Sequence, residues 1–346
     1  MVPLVSRLDR MQRRRPAVGV PVAVVYKYLD DQGAYLAAIL TYYSFLAIFP
    51  LMLIAATVLG FILQGNQQLQ QELLNTALSR FPIVGDQLGR PEGLHGSITA
   101  VLVGTLAALY GALGLGQAAQ NALSVSWAIP RNSRLNPLAS RLRSLALLTF
   151  AGIAVLALAL SATLLSHLEI IGAQLSGWLN VAVTLLSAVF VAVVLGVILA
   201  VGTSVRHRFR EVLPGAVFIA VLWQALQSLG GLYVARVIQK VSAMNGVFAL
   251  VLGLFAFLFL AATIAVLGFE VNAVLGKRLY PRALLTPFTD AVELTAADRQ
   301  VYTEFAQAQR QKGFERVSVS FDGHRSPEPA PSPAEPVLPE PRVPKE

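Results

Sequence analysis

Residues 247–278 read VFALVLGLFAFLFLAATIAVLGFEVNAVLGKR. From Val247 to Phe269 there is no charge, and an α-helix of that length rises about 35 Å, enough to cross a hydrocarbon core of about 30 Å. Glu270 follows at once, and Lys277 and Arg278 close the run. The pattern recurs: uncharged stretches also cover 34–63, 144–166, 170–205 and 212–235. Of the 346 residues 55% are hydrophobic and 13% charged, about half the charged fraction of an ordinary soluble domain. A water-soluble fold cannot hide that much apolar surface.

The sequence therefore predicts an all-α, polytopic membrane bundle of about six transmembrane helices, near 36–63, 97–118, 145–166, 178–203, 212–235 and 247–275. Residues 1–33 form a basic N-terminal segment with an interfacial helix near 17–29. Residues 34–282 form the membrane domain. Residues 283–346 form a tail that is Pro-rich and disordered from about 326. The first apolar run is far longer than the core of a cleavable signal and reads as a retained span. Between the first two spans, residues 66–82 place Leu69, Leu73, Leu74, Ala77, Leu78 and Phe81 at helical spacing, the mark of an amphipathic helix along the outer surface.

Orientation follows from Lys and Arg, which resist translocation. Arg7, Arg10, Arg13, Arg14, Arg15 and Lys27 precede the first span. Arg131, Arg134, Arg141 and Arg143 link the second and third, Arg206, Arg208 and Arg210 link the fourth and fifth, and Lys277, Arg278 and Arg282 follow the sixth. The alternate connections hold only Arg80, Arg90, Arg236 and Lys240. Sixteen basic residues against four predict that both termini are cytoplasmic. The same distribution explains the net charge of +8 without a nucleic-acid partner, since no interleaved aromatic and basic patch accompanies it. Arg outnumbers Lys 22 to 5, which suits a GC-rich bacterial genome and points to a bacterial cytoplasmic, or inner, membrane.

Catalytic chemistry finds little footing. There is no cysteine, hence no Cys-based metal or disulfide site. His95, His167, His207 and His324 are scattered, and neither HExxH, a Walker loop, GxSxG nor a paired-carboxylate constellation occurs. His207 sits among Arg206, Arg208 and Arg210 and reads as part of a cationic loop. The expectation is a protein that is not an enzyme and takes no cofactor or metal.

The informative residues are polar groups inside apolar spans. Span one holds Tyr42 and Tyr43, then Pro50, which removes a backbone donor and predicts a kink. Gly104, Ala108, Ala112 and Gly116 form a small-residue stripe on span two that lets another helix approach. Gln117, Gln120 and Asn121 supply amides for helix–helix bonds at its inner end. Gln224, Gln227 and Ser228 lie in span five, where amides need partners. Glu270 is the only formal charge within a span and calls for a functional hypothesis, although its depth near Lys277 and Arg278 also fits an interfacial ion pair or a helix–helix tie. Packing and a polar pocket both account for this set. The pocket reading predicts a connected polar region in the inner half of the bundle, made by Tyr42, Tyr43, Gln224, Gln227, Glu270 and Asn272.

Four segments read together resemble the YihY/BrkB family of bacterial inner-membrane proteins, a group once labelled ribonuclease BN. They are AAILTYYSFLAIFPLMLI at 37–54, AQNALSVSWAIPRNSR at 119–134, RHRFREVLPGAVFIAVLW at 206–223 and GFEVNAVLGKR at 268–278. The family pattern corresponds here to Tyr42 and Tyr43, to Arg210 with Leu213, Pro214, Gly215 and Ala216, and to Glu270 with Asn272. Pro50, Arg210, Pro214 and Gly215 are expected to be structural, with Pro214 in the first helical turn of span five and Glu211 at its positive dipole end. A family-like Tyr-Gly before span six appears as Asn245 and Gly246. The resemblance implies a role in envelope integrity, with membrane lipids as partners and lipid or another amphipathic molecule as cargo. A small-solute secondary transporter is the alternative, and a membrane-bound ribonuclease stands third. Oligomeric state is left open.

Overall fold

The computed structural model describes residue 9 and residues 11–62, 98–170, 177–236, 243–290 and 292–321. The expected amphipathic helix at 66–82 and the Pro-rich tail from 326 lie outside the described residues. Within them the chain is helical, without strands. A short α1 (Pro16–Asp30) leads into six long helices: α2 (Gly33–Ile62), α3 (Ile98–Ser126), α4 (Pro137–Ile170), α5 (Gly177–Val201), α6 (Phe209–Arg236) and α7 (Ala243–Lys277). A last short helix, α8, spans Ala296–Ala308. Among the described residues three stretches are long and apolar enough to cross a membrane: Pro137–Leu158, Phe209–Leu232 and Val251–Lys277. Gly33–Ile48 and Leu185–Val201 are shorter apolar helices.

Two helices outrun the apolar spans read from the sequence by about two turns. α3 continues past residue 118 to Ser126, and α4 begins at Pro137 instead of 145. Polarity marks the edge of a hydrophobic run, but here the polar residues pair with one another and the helices persist. Gln120 Nε2 donates to Ser144 Oγ at 2.7 Å and to the Ser140 carbonyl at 3.0 Å, and Ser140 Oγ donates to Gln120 Oε1 at 3.2 Å. Pro50 lies inside α2, which runs on to Ile62.

The helices pack as a ring. α3 lies on α2, α2 on α7, α7 on α6 and α6 on α5, while α4 leans on α3 and meets α5 only sparsely. In the apolar window of Pro137–Leu158 only 11% is buried, against 33% in Phe209–Leu232 and 39% in Val251–Lys277, so the described part of α4 is more open to its surroundings than α6 or α7. The main core gathers Leu36, Ala37 and Leu40 of α2, Ala122 and Leu123 of α3, Leu199 of α5, Val212, Ala216 and Ile219 of α6, and Ala262, Val266 and Phe269 of α7. A second apolar cluster joins Ile48, Leu226, Leu254, Phe257 and Leu258.

Close approach relies on glycine. The ring of Tyr43 covers Gly114, where a Cβ would come within 2.2 Å of it. Gly116 faces Ser144 in the same way on α4. The stripe read from the sequence therefore reaches α4 through Gly116, while α2 is met by Gly111 and Gly114, a different face of α3.

α1 and α8 pack together against the end of α7. Ala23 and Val24 of α1, Val274 and Leu279 from the end of α7, and Val301 of α8 form one buried cluster. The segments before and after the long helices thus sit at the same end of the bundle.

Candidate functional site

The turn from α1 into α2 brings Lys27 and Asp31 against α7 and the last residue of α3. Glu270 is fully buried, Lys27 is 3% exposed and Asp31 6%. Ser126 Oγ donates to Glu270 Oε1 at 2.6 Å. Lys27 forms a close ion pair with Asp31 one helical turn on, while its Nζ stands 3.8 Å from Glu270 Oε2. That oxygen accepts no hydrogen bond among the described residues, and the Asp31 carboxyl stands close enough to act on the Glu270 carboxyl. Burial opposes the Lys27 charge, but Glu270 and Asp31 outweigh it and hold the ammonium above its ordinary range. Burial pushes the Asp31 carboxyl up, against the pull of Lys27. A narrow cleft of about 30 Å³, room for a water molecule, reaches Lys27 and Asp31 between Val125, Ala128 and Arg134 on one side and Val301, Glu304, Phe305 and Ala308 of α8 on the other.

A second ionic cluster lies beside the first, built from Arg282 after α7, Asp298 of α8 and Asp30 of α1. Arg282 is 1% exposed and pairs through Nε with Asp298 and through Nη2 with Asp30 Oδ2 at 2.9 Å. Asp298 Oδ2 also accepts the backbone N–H of Ala283 at 3.0 Å and of Thr295 at 2.9 Å, closing a capping box with Thr295 at the start of α8. The Gln12 amide donates to the Arg282 carbonyl and the Tyr26 hydroxyl to that of Leu284. Lys277 adds a further link, donating to the Trp127 carbonyl and to Glu304 Oε2 of α8, each at 2.7 Å.

The Leu-Pro-Gly-Ala stretch explains how α6 meets α7. α6 begins at Phe209, so Pro214 stands in its second turn and not in the first turn expected from the sequence. Proline there displaces the ladder locally, and the next N–H, that of Gly215, donates to Asn272 Oδ1 at 2.7 Å. A Cβ on Gly215 would fall 2.1 Å from the Gly268 carbonyl. Pro214 and Gly215 make a tight crossing, and Asn272 fastens it. Glu211 Oε2 accepts the Arg208 N–H at 3.2 Å at the head of the helix, while Arg210 is exposed.

The six residues expected to form one polar region are dispersed. Glu270 and Asn272 are both fully buried, Glu270 toward α1 and α3 and Asn272 toward α6. Tyr42 is 51% exposed and shares the outward face of α2 with Tyr35 and Ile39. It meets Tyr43 edge-on at 5.1 Å, and Tyr43 meets Tyr110 at 6.1 Å. Gln224 is exposed on the α6 face that also carries Val217, Val221 and Leu232, and Gln227 is half-buried. The partners of Glu270 are Lys27, Asp31 and Ser126, none of them in the expected set, and Lys277, placed near Glu270 by the sequence, pairs elsewhere. His207 likewise departs from a cationic loop role. Its ring stacks on Trp127 at 4.0 Å, and burial lowers its pKa.

The family described as Virulence factor BrkB matches residues 24–290. The chain belongs to the BrkB family. The match takes in Lys27, Asp31, Glu270 and all six long helices, and ends before Asp298 of the second cluster. Comparison with curated proteins and with solved structures gives no match.

Proposed function

We propose that this BrkB-family chain is a non-enzymatic, six-span protein of a bacterial cytoplasmic membrane, with both termini in the cytoplasm, that maintains the envelope by moving lipid or an amphipathic solute. Six helices of 25 to 35 residues and the shared end of α1 and α8 support an even number of crossings. The sixteen-to-four charge distribution supports assigning that end to the cytoplasm. The observation that carries the lipid reading is the sparse α4–α5 contact among the described residues, beside the thinly covered α4. A ring with one loosely closed flank admits an acyl chain from the side, whereas a hydrated solute needs a water-lined path. Proteoliposomes containing the full chain should redistribute a fluorescent phospholipid between leaflets faster than empty vesicles. Equal rates would defeat the reading.

The second reading, a small-solute secondary transporter, draws on Glu270 and its neighbours, since ionisable groups enclosed by membrane helices commonly mark ion or proton routes. Ion-dependent solute uptake lost on Glu270→Gln, with no lipid redistribution, would favour it.

A further inference from the structure

We propose that Lys27, Asp31 and Glu270 form a proton-binding site that loads from the end of the bundle carrying α1 and α8. The inference rests on the membrane placement above but not on the identity of the cargo.

Two carboxyl groups and one ammonium are enclosed together, so one negative charge is uncompensated when all three are ionised. Ser126 satisfies one oxygen of Glu270. The other is buried and accepts no hydrogen bond among the described residues, with Lys27 held closer to Asp31 than to it. A buried carboxylate oxygen lacking a donor is costly. A proton taken from water onto either carboxyl supplies the missing donor and removes the excess charge: hydronium gives up the proton, a carboxylate becomes a carboxylic acid, and water is released. Lys27 then neutralises the remaining carboxylate.

The surroundings limit which other groups take part. α1 contributes Lys27 and the turn after it Asp31, with Asp30 already paired to Arg282. α3 contributes the Ser126 hydroxyl. α2 and α6 present apolar side chains to the adjoining core. Arg134 and Glu304 stand at the cleft, with Glu304 paired to Lys277. The cleft touches Lys27 and Asp31, so a proton arriving there meets Asp31 before Glu270. The cover over the cleft is α8, held to α7 by Lys277–Glu304 and to the segment after α7 by Arg282–Asp298.

Infrared difference spectroscopy of the full chain in lipid tests this directly, because a protonated carboxylic acid has a C=O stretch distinct from a carboxylate and shifted by deuterium. Wild type should show a protonated-carboxyl band that rises and falls with pH. Glu270→Gln should lose it, and Asp31→Asn should shift its midpoint. The wild-type titration needs no variant to fold. Absence of such a band, or a band unchanged in both variants, would overturn the proposal. Lipid redistribution measured in the same vesicles separates this outcome from that of the lipid reading: a titrating band without redistribution removes only the cargo.

Discussion

The two buried ion clusters share neighbouring residues of one helix end, Asp30 in one and Asp31 in the other, yet they are built differently. Around Arg282, Asp298 receives a guanidinium and two backbone N–H groups and caps α8, while Asp30 takes Nη2 of the guanidinium and Nη1 has no partner among the described residues. Burial works against the Arg282 charge, and the two aspartates more than offset it, raising its pKa. Around Glu270 one oxygen is satisfied, the other is not, and the ammonium leans toward Asp31. Burial is common to both and therefore does not separate a fastening from a working site. The count of donors per carboxylate oxygen does. The Arg282 cluster ties three segments of chain into one end, and the Glu270 cluster leaves room for a change of protonation.

Substitutions can break this contrast. Asp298→Asn removes the main partner of a buried guanidinium and half of a capping box, and should destabilise the chain by about 3 kcal/mol or more, read as a large drop in unfolding temperature in detergent. A fall no larger than that of a surface change would show that the Arg282 cluster fastens nothing. Gly215→Ala forces a methyl against the Gly268 carbonyl and should cost about 1–3 kcal/mol on the same assay, with α6 and α7 driven apart. Glu270→Gln should change stability by no more than about 1 kcal/mol, because Lys27 keeps Asp31 and an uncompensated charge is removed. The smallest effect belongs to His207. Its pKa is lowered in the fold, so its stabilising contribution is present above about 6.5 and is lost as pH falls through the lowered value. Unfolding temperature should therefore decline more in wild type than in His207→Gln on going from pH 7 to about pH 5. Parallel curves would show that the Trp127 stack does not depend on a neutral ring.

Much of the bundle was legible because long uncharged runs have one solution in a bilayer, and Glu270 stood out as the single charge within them. Its partners were not. Lys27 comes from a short helix at the far end of the chain, and Ser126 looked like connection because hydropathy falls at Gln117 even though the helix continues. Tyr42 and Gln224 were misplaced for another reason. When both faces of a helix are apolar, a lone polar residue does not reveal which face is outward, and both residues lie on faces exposed in the folded chain. Pro214 and Gly215 were noticed as a motif, but their use was visible only once Asn272 and Gly268 stood opposite.

The most direct test of the account compares Glu270→Gln and Asp298→Asn side by side in unfolding temperature and in lipid redistribution by reconstituted protein. Asp298→Asn should lower both together, while Glu270→Gln should keep nearly the wild-type unfolding temperature and lose redistribution. Equal losses of stability and activity in both variants would contradict it and make the Glu270 cluster a second fastening.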